Sequence, residues 1–339
     1  MAEFSLGLGI VLFLVLCSVF VNGWTDAPNA IATVVSTRAM KPKPAIAMAA
    51  VFNLIGACTM GTAVANTVGK IIEIDAGKNG LVTIAAAQCA IVIWATSAWV
   101  FGIPTSESHA LIAALTGAGL AAGGGWESVS WEQWKKVIIG LVASSFVGFT
   151  VGLALVALVV LIFSRVRRRN ANTFFTVGQI VSAASMAFTH GAQDGQKFAG
   201  IFALALATGI PSLNMLSGGK LHIPLWILIL VALVMGFGTS IGGYRIIKTM
   251  GMDMVKLERY QGFTAEIAAS GCMTVLTWMG IPVSTTQMKA TSIMGVGAIR
   301  GSRAINWKVV GDMALAWVLT FPACFVIGFV MTKVFTRIF

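Results

Sequence analysis

Long apolar runs make up most of the chain, and short polar stretches separate them. About 20 apolar residues are needed to cross the hydrocarbon core as a helix, so we expect membrane helices at the eight long runs. These are 4–21, 44–69, 80–101, 136–164, 173–189, 224–243, 262–279 and 308–335. Four shorter runs begin within or just after a polar stretch, at about 27–38, 105–122, 196–210 and 285–299. The pattern predicts an all-α polytopic membrane protein with about 10–12 membrane segments, including broken or re-entrant helices.

The polar stretches occur twice, about 170 residues apart. They are Asn22–Asn29 and Gly102–His109 in the first half, and His190–Lys197 and Gly280–Gln287 in the second. Apolar segments broken by Gly or Pro at matching positions of two halves are typical of a transporter's substrate site. We therefore predict a repeat at 1–164 with signatures 22–30 and 102–109, a cytoplasmic linker at 165–172, and a repeat at 173–339 with signatures 190–198 and 280–287.

Charge is sparse and unevenly placed. Only 10% of the residues are charged, although the net charge is +11. A soluble domain has about 25% charged residues, so this chain has too few to cover a water-facing surface. Lys and Arg cluster in short loops, most densely at Arg165–Arg169, as the positive-inside rule predicts. This placement argues against a nucleic-acid partner and for contact with a lipid bilayer, which we take to be the cell inner membrane.

The same loops predict the topology. If the basic loops face the cytoplasm and each half crosses the membrane five times, the N-terminus lies outside. An odd number of crossings inverts the second half relative to the first. The prediction is therefore two inverted-topology repeats with both termini outside.

Asp26 and Asp194 occupy equivalent positions in the two halves. A carboxylate at membrane depth costs about 2.5–3.5 kcal/mol on insertion scales, so an intramembrane carboxylate indicates function. Each could instead cap a helix, but a cap does not explain the duplication. We predict that they bind a coupling cation, which could be Na⁺ or H⁺, beside the polar side chains of Asn22, Asn29 and Gln193. Oxygen ligands of this kind also suit hydrated divalent ions.

The two Gly-Ile-Pro signatures place hydroxyl groups where a helix should begin. These are Thr105, Ser106 and Ser108 in the first half, and Ser284, Thr285 and Thr286 in the second. A helix N-terminus carries about half a positive charge and has unpaired N–H donors. Two such termini brought together would bind an oxyanion, whereas ordinary capping of a broken helix is the structural alternative.

Four further charged residues lie near these signatures. Glu107 could bind a proton or cation, or could serve as a first-turn carboxylate that the helix dipole favours. Glu266 is a carboxylate inside a predicted span, which indicates function. We predict that Gln196 and Lys197 bind the anion together with the hydroxyls. Lys289 could also help hold it, and either lysine could instead extend to the membrane interface, the more frequent role of a single lysine.

Other polar and small residues are read as structural. The three histidines have no spacing of a zinc site, and the five cysteines stand singly in apolar runs, so we predict no cofactor. Gly148-x-x-x-Gly152 could bring helices close, within the chain or between protomers.

At its signatures the chain resembles the PiT inorganic phosphate transporter family. Residues 23–30 and 190–197 are similar to the two copies of that family's Gly-Ala-Asn-Asp-x-Ala-Asn-Ala signature, and 102–109 and 280–287 to its Gly-x-Pro-x-Ser-(Ser/Thr)-(Ser/Thr)-His pattern. The resemblance covers nearly the whole chain and looks most like the compact prokaryotic members. It implies a homodimeric inverted-repeat symporter that moves phosphate with Na⁺ or H⁺, or as a metal–phosphate complex.

The chain departs from that pattern at several positions. Thr25 and Gln193 stand where the signature has Asn, Gln287 replaces the final His, and Glu107 replaces a hydroxyl. Members that resemble this chain and have a glutamate early in the span after the first signature would have it near Asn53, whereas Glu266 is similar to its second-half equivalent. These departures leave the cation stoichiometry open.

The sequence thus predicts a phosphate symporter that works by alternating access and is not an enzyme. Sulfate or another oxyanion is the alternative substrate, because the oxygens are similar. A second alternative is a passive anion channel lined by the same short helices, or half-helices, that begin at the two Gly-Ile-Pro signatures. An intramembrane enzyme is the weakest, because no nucleophile–base–orienter set is visible.

Overall fold

A computed structural model describes residues 5–26, 28–74, 77–218, 220–241 and 244–338. In the first half the α-helices are α1 Leu6–Thr25, α2 Pro28–Ser36, α3 Pro42–Thr59, α4 Ala63–Val68, α5 Lys78–Val100, α6 Glu107–Gly119, α7 Trp131–Val142 and α8 Gly148–Phe163. In the second half they are α9 Arg168–His190, α10 Gln196–Gly209, α11 Leu225–Ile241, α12 Tyr244–Lys248, α13 Arg259–Trp278, α14 Thr285–Ala298 and α15 Trp307–Ile338. A two-stranded antiparallel hairpin, β1 Leu216–Ser217 and β2 Lys220–Leu221, pairs Leu216 with Leu221. The fold is all-α, as predicted.

The Gly-Ile-Pro signatures end one helix and prepare the next. Gly102 follows α5 with φ of 69° and Gly280 follows α13 with φ of 66°, a backbone region that favours glycine. The N–H groups of Ile103 and Ile281 bond five residues back, to Ala98 O (3.1 Å) and Leu276 O (2.9 Å). This is the Schellman arrangement, so both helices stop just before the proline.

The order of helices in 6–163 recurs in 168–338. The long helices α1, α5 and α6 have counterparts in α9, α13 and α14, and contacts recur as well: α1 packs on α11 as α9 packs on α3, and α6 packs on α15 as α14 packs on α8. Helices of one half are therefore packed between helices of the other. The linker boundary, the inverted orientation of the halves and the outside position of both termini stay predictions.

Several helices are long and apolar enough to cross a membrane. Within the described ranges these are Leu6–Ser36, Lys78–Val100, Trp131–Phe163 and Trp307–Ile338, with a fifth if Leu225–Ile241 and Arg245–Asp253 count as one span bent by 73°. Large apolar side chains on the outer faces of these helices are exposed, such as Leu161 at 72% and Val318 at 67%. Such a surface on long apolar helices is typical of contact with lipid, and the chain is a multi-pass membrane protein.

The Gly148-x-x-x-Gly152 motif lies at a contact inside the chain, between α8 and α14. A Cβ added to Gly152 would lie 2.7 Å from the backbone oxygen of Ser292, and one added to Gly148 would lie 2.4 Å from Thr291 Oγ1. Of the two contacts considered from sequence, the structure contains the intrachain one.

Candidate functional site

The two aspartates lie at helix irregularities. Asp26 caps the end of α1, and its carbonyl accepts the Asn29 N–H at 2.9 Å, so the chain turns directly into α2. Asp194 lies in a π-helical turn, Gly191–Gly195, between α9 and α10. Single π-helical turns inside helices are frequently found at functional sites.

One threonine hydroxyl lies between the two carboxylates. Thr285 Oγ1 is 3.2 Å from Asp26 Oδ2 and 3.2 Å from Asp194 Oδ2. Asp26 Oδ1 also accepts from Asn29 Nδ2 at 2.6 Å and from the Thr286 hydroxyl. A hydroxyl has one hydrogen and can donate to only one of the two carboxylates at a time, so the pair retains an acceptor for a cation or a proton.

Asp194 has two basic neighbours. Lys197 Nζ is 2.7 Å from its Oδ1, and His190 Nε2 is 3.3 Å from its Oδ2. Ligand atoms of Asp26, His190 and Asp194 all lie within 4.8 Å of one another, so these three side chains could hold a metal ion together. His190, predicted from sequence to be structural, is therefore part of the central cluster. Its other ring nitrogen lies 3.2 Å from Asn53 Oδ1.

The N-termini of α6 and α14 meet at the same cluster. Ser106 caps α6 by accepting the His109 N–H (3.3 Å), and Ser284 caps α14 by accepting the Gln287 N–H (3.2 Å). Both predicted helix starts are confirmed. The Ser108 hydroxyl on α6 donates to the carbonyl that precedes the α14 cap, at 3.1 Å. Two partly positive helix ends thus lie beside the aspartates.

Lys197 connects these parts. Its ammonium group donates to Ser108 Oγ (2.6 Å), Val283 O (2.7 Å) and Asp194 Oδ1 (2.7 Å). It is 1% exposed, so the expectation that it extends to the membrane interface is wrong. A buried carboxylate within reach explains the difference, because an internal ion pair replaces the water that the lysine would otherwise seek.

Several acceptor oxygens in the cluster have no hydrogen-bond partner within the described part of the chain: Asn22 Oδ1, Asn29 Oδ1 and Glu107 Oε2. The other oxygen of Glu107 accepts from the Thr25 hydroxyl. Buried polar atoms are nearly always paired, and three unpaired oxygens beside two aspartates fit a bound cation. Glu107 is also the first residue of α6, so both roles considered for it are compatible with its position.

The side chains of two predicted site residues, Gln193 and Gln196, bond groups other than the aspartates. Gln193 Oε1 accepts the Val283 N–H at 3.4 Å, and its Nε2 donates to Thr277 Oγ1 at 2.8 Å. Gln196 Oε1 accepts the Val64 N–H of α4 at 3.1 Å, so this side chain bonds α4 rather than the N-termini of α6 and α14. Asn22 donates to Asp194 Oδ2 at 3.3 Å and therefore belongs to the cluster of the two aspartates. Thr105 is buried and directly precedes Ser106, the cap of α6.

Glu266 forms a second buried cluster with Lys289. The Lys289 Nζ atom lies 3.5 Å from Glu266 Oε1, and both residues are fully buried. Interface contact is therefore wrong for Lys289 as well. The hydroxyls of Thr33 and Ser182 also bond this carboxylate.

A largely apolar cavity of about 790 Å³ reaches the other side of the two half-helices. It is lined by His109 and Gln287, the last residues of the hydroxyl signatures, and by Phe146 and Phe321. His109 stacks on Phe321 with ring centroids 4.7 Å apart. The cavity thus lies against α6 and α14, the two helices whose N-termini lie beside the aspartates.

Residues 22–328 match the model of the phosphate transporter family. The chain belongs to this family. It is 38% identical over 334 residues to a probable low-affinity inorganic phosphate transporter of Bacillus subtilis strain 168, covering 97% of this chain and 98% of that protein. A protein of Rhizobium meliloti strain 1021 with the same description is 40% identical, over 91% and 90% of the two chains.

A solved structure has the same fold. The sodium-dependent phosphate transporter covers 99% of this chain and 100% of its own, with a TM-score of 0.84 and 21% identity. Family members are transporters, and the chain is accordingly a transporter of this family and not an enzyme. The family resemblance stated from the signatures is confirmed.

Proposed function

We propose that the chain is a symporter that carries inorganic phosphate across the membrane with a coupling cation, Na⁺ or H⁺, by alternating access. The observation that carries this proposal is the meeting of Asp26 and Asp194 with the N-termini of α6 and α14, joined through Thr285 and Lys197. Acidic groups for a cation and helix ends for an anion thus lie side by side. The phosphate transporter family and the descriptions of the relatives support phosphate as the substrate.

The charges of the cluster argue for an order of binding. The three carboxylates of Asp26, Asp194 and Glu107 outnumber the two basic groups beside them, Lys197 and His190. The cluster therefore repels an anion until a cation or proton enters. Two unit charges 4 Å apart interact by about 4 kcal/mol at an effective dielectric constant of 20. Neutralising one carboxylate removes repulsion of this size for each charge on phosphate. The cation therefore binds first.

Phosphate then docks on the half-helices. Its oxygens accept from first-turn N–H groups of α6 and α14 and from the hydroxyls of Ser108, Thr285 and Thr286. Lys197 moves its ammonium group from Asp194 toward phosphate, since both lie within reach of one flexible side chain. The loaded site then becomes accessible from the other side as the two halves rock. We place this transporter, as a homodimer, in the cell inner membrane.

A metal–phosphate complex is a second candidate for the cargo. His190 favours it, because its imidazole offers a nitrogen ligand beside the two aspartates, which suits a transition metal better than Na⁺. This candidate predicts that chelation of divalent metal abolishes uptake and that His190→Gln weakens the metal dependence. Uptake that persists in excess chelator would contradict it.

The test uses purified protein in liposomes, with labelled phosphate outside and an imposed Na⁺ gradient, an inward proton gradient or neither. We expect accumulation above equilibrium with one of the gradients, and inhibition by unlabelled phosphate but not by sulfate. A passive channel would equilibrate phosphate without either gradient. In a permease for several oxyanions, sulfate would inhibit the uptake of labelled phosphate. Either result would refute the proposal.

A further inference from the structure

The Glu266 cluster has the composition of a cation site but already contains a positive charge. Glu266 Oε1 accepts from the Thr33 hydroxyl on α2, and its Oε2 accepts from Ser182 Oγ on α9 at 2.5 Å. Four oxygens from three helices therefore surround one point, and carboxylate and hydroxyl oxygens are ligands that hard cations prefer. Lys289 Nζ reaches this cluster, 3.5 Å from Glu266 Oε1 and 3.2 Å from Thr33 Oγ1.

We propose that the ammonium group of Lys289 is the built-in cation of the Glu266 site and excludes Na⁺ from it. The site needs no ion from solution, because the lysine compensates a carboxylate that would otherwise be buried and unpaired. The inference concerns residues outside the Asp26 cluster. It bears on the proposed function by leaving the Asp26 and Asp194 cluster as the place for the coupling cation.

The surrounding charges support a tethered ion. Of the helices that pack against α13, α2, α4 and α8 contain no charged residue, and Lys289 is the one charge in α14. The charged groups of α9 and its π-helical turn are Arg168 and Arg169 at one end and His190 and Asp194 at the other. Lys289 is thus the charged partner that reaches Glu266 among the described residues.

A cavity near the Glu266 cluster has a mostly basic charged lining. Thr37, one helical turn from Thr33, bonds Gln179 Oε1 at 2.8 Å and lines a cavity of about 640 Å³. The charged residues that line the same cavity are Arg168, Arg259 and Glu258, which together are net positive. A free cation arriving there meets positive charge, whereas a cation fixed to α14 does not have to enter.

The test measures Na⁺ binding to purified protein in detergent. Binding is detected as the shift in melting temperature when Na⁺ replaces choline at constant ionic strength. Removing the ammonium group by Lys289→Ala should open the site. We expect a saturable, Na⁺-specific upward shift beyond that of the wild type, and its loss when Glu266→Gln is added. Lys308→Ala, which removes an exposed lysine, is the matched control and should leave the wild-type response unchanged.

The pair can also be removed without leaving a buried charge. E266Q/K289Q should keep whatever Na⁺ response the wild type has, because the pair does not bind Na⁺. Loss of a wild-type response in this double variant would overturn the proposal. So would a folded Lys289→Ala protein with the wild-type Na⁺ response. These binding results do not depend on transport, so failure of phosphate uptake by the wild type, which would refute the proposed function, is a separate observation.

Discussion

Replacing each central aspartate by asparagine should separate their roles, because their neighbours differ. Asp194→Asn leaves the buried Lys197 ammonium group without its acidic partner at 2.7 Å. Breaking a buried ion pair by removing one partner costs about 3–5 kcal/mol. Asp26→Asn removes a carboxylate whose closest partners are neutral, Asn29 and Thr286. Weakening hydrogen bonds to a charged group costs about 1.5–3 kcal/mol.

We therefore expect the Asp194→Asn protein to melt at a lower temperature than the Asp26→Asn protein. Adding Lys197→Met to Asp194→Asn removes the unpaired charge and should recover most of the loss. Labelled phosphate uptake should fall in both single variants. A loss of about 2.8 kcal/mol in cation binding lowers uptake at low cation concentration about 100-fold.

The assays are thermal unfolding in detergent and initial uptake rates in liposomes at matched protein density. Equal melting temperatures of the two single variants, or no recovery in the double variant, would show that the Lys197 contact does not stabilise the fold. Full uptake by both Asn variants would refute the role of the aspartates in coupling.

Further predictions concern single contacts. Thr285→Val removes the hydroxyl between the two aspartates and should raise the half-saturating phosphate or cation concentration about tenfold or more in uptake assays. Thr285→Ser keeps the hydroxyl and should stay near wild type. An unaffected Val variant would show that the Thr285 hydroxyl does not connect the two aspartates. Gly152→Ala places a Cβ 2.7 Å from Ser292 O, so it should lower the stability by about 1–3 kcal/mol and with it the melting temperature. The control Gly271→Ala has open space at its Cβ and should melt like the wild type. Equal melting curves of the two variants would show that α8 and α14 are not in close contact.

The duplication made much of the centre predictable. Polar residues inside apolar runs are costly, and their recurrence at Asp26 and Asp194 predicts that both carboxylates lie at one site. The spacing from Ser106 to His109 and from Ser284 to Gln287 likewise predicted two capped helix starts, which the structure confirms.

What the sequence did not predict depends on which helices pack together. Lys289 is buried because Glu266 lies across from it on another helix, and the residues around Lys289 in the sequence do not show which helix packs there. Thr33 and Ser182 lie far from Glu266 in sequence and meet it only through packing. A signal did exist for His190 and Lys197. They lie four residues before and three residues after Asp194, and helical residues at those spacings are neighbours.

The central claim is that a cation and phosphate bind next to each other at the aspartate cluster, and linked binding tests it most directly. Phosphate affinity of the purified protein should be measured by calorimetry over a range of Na⁺ concentrations and over a range of pH values. The account predicts that phosphate affinity rises with the cation, that cation affinity rises by the same factor with phosphate, and that Asp26→Asn abolishes the linkage. A phosphate affinity that stays constant over the whole range of Na⁺ and pH would contradict it.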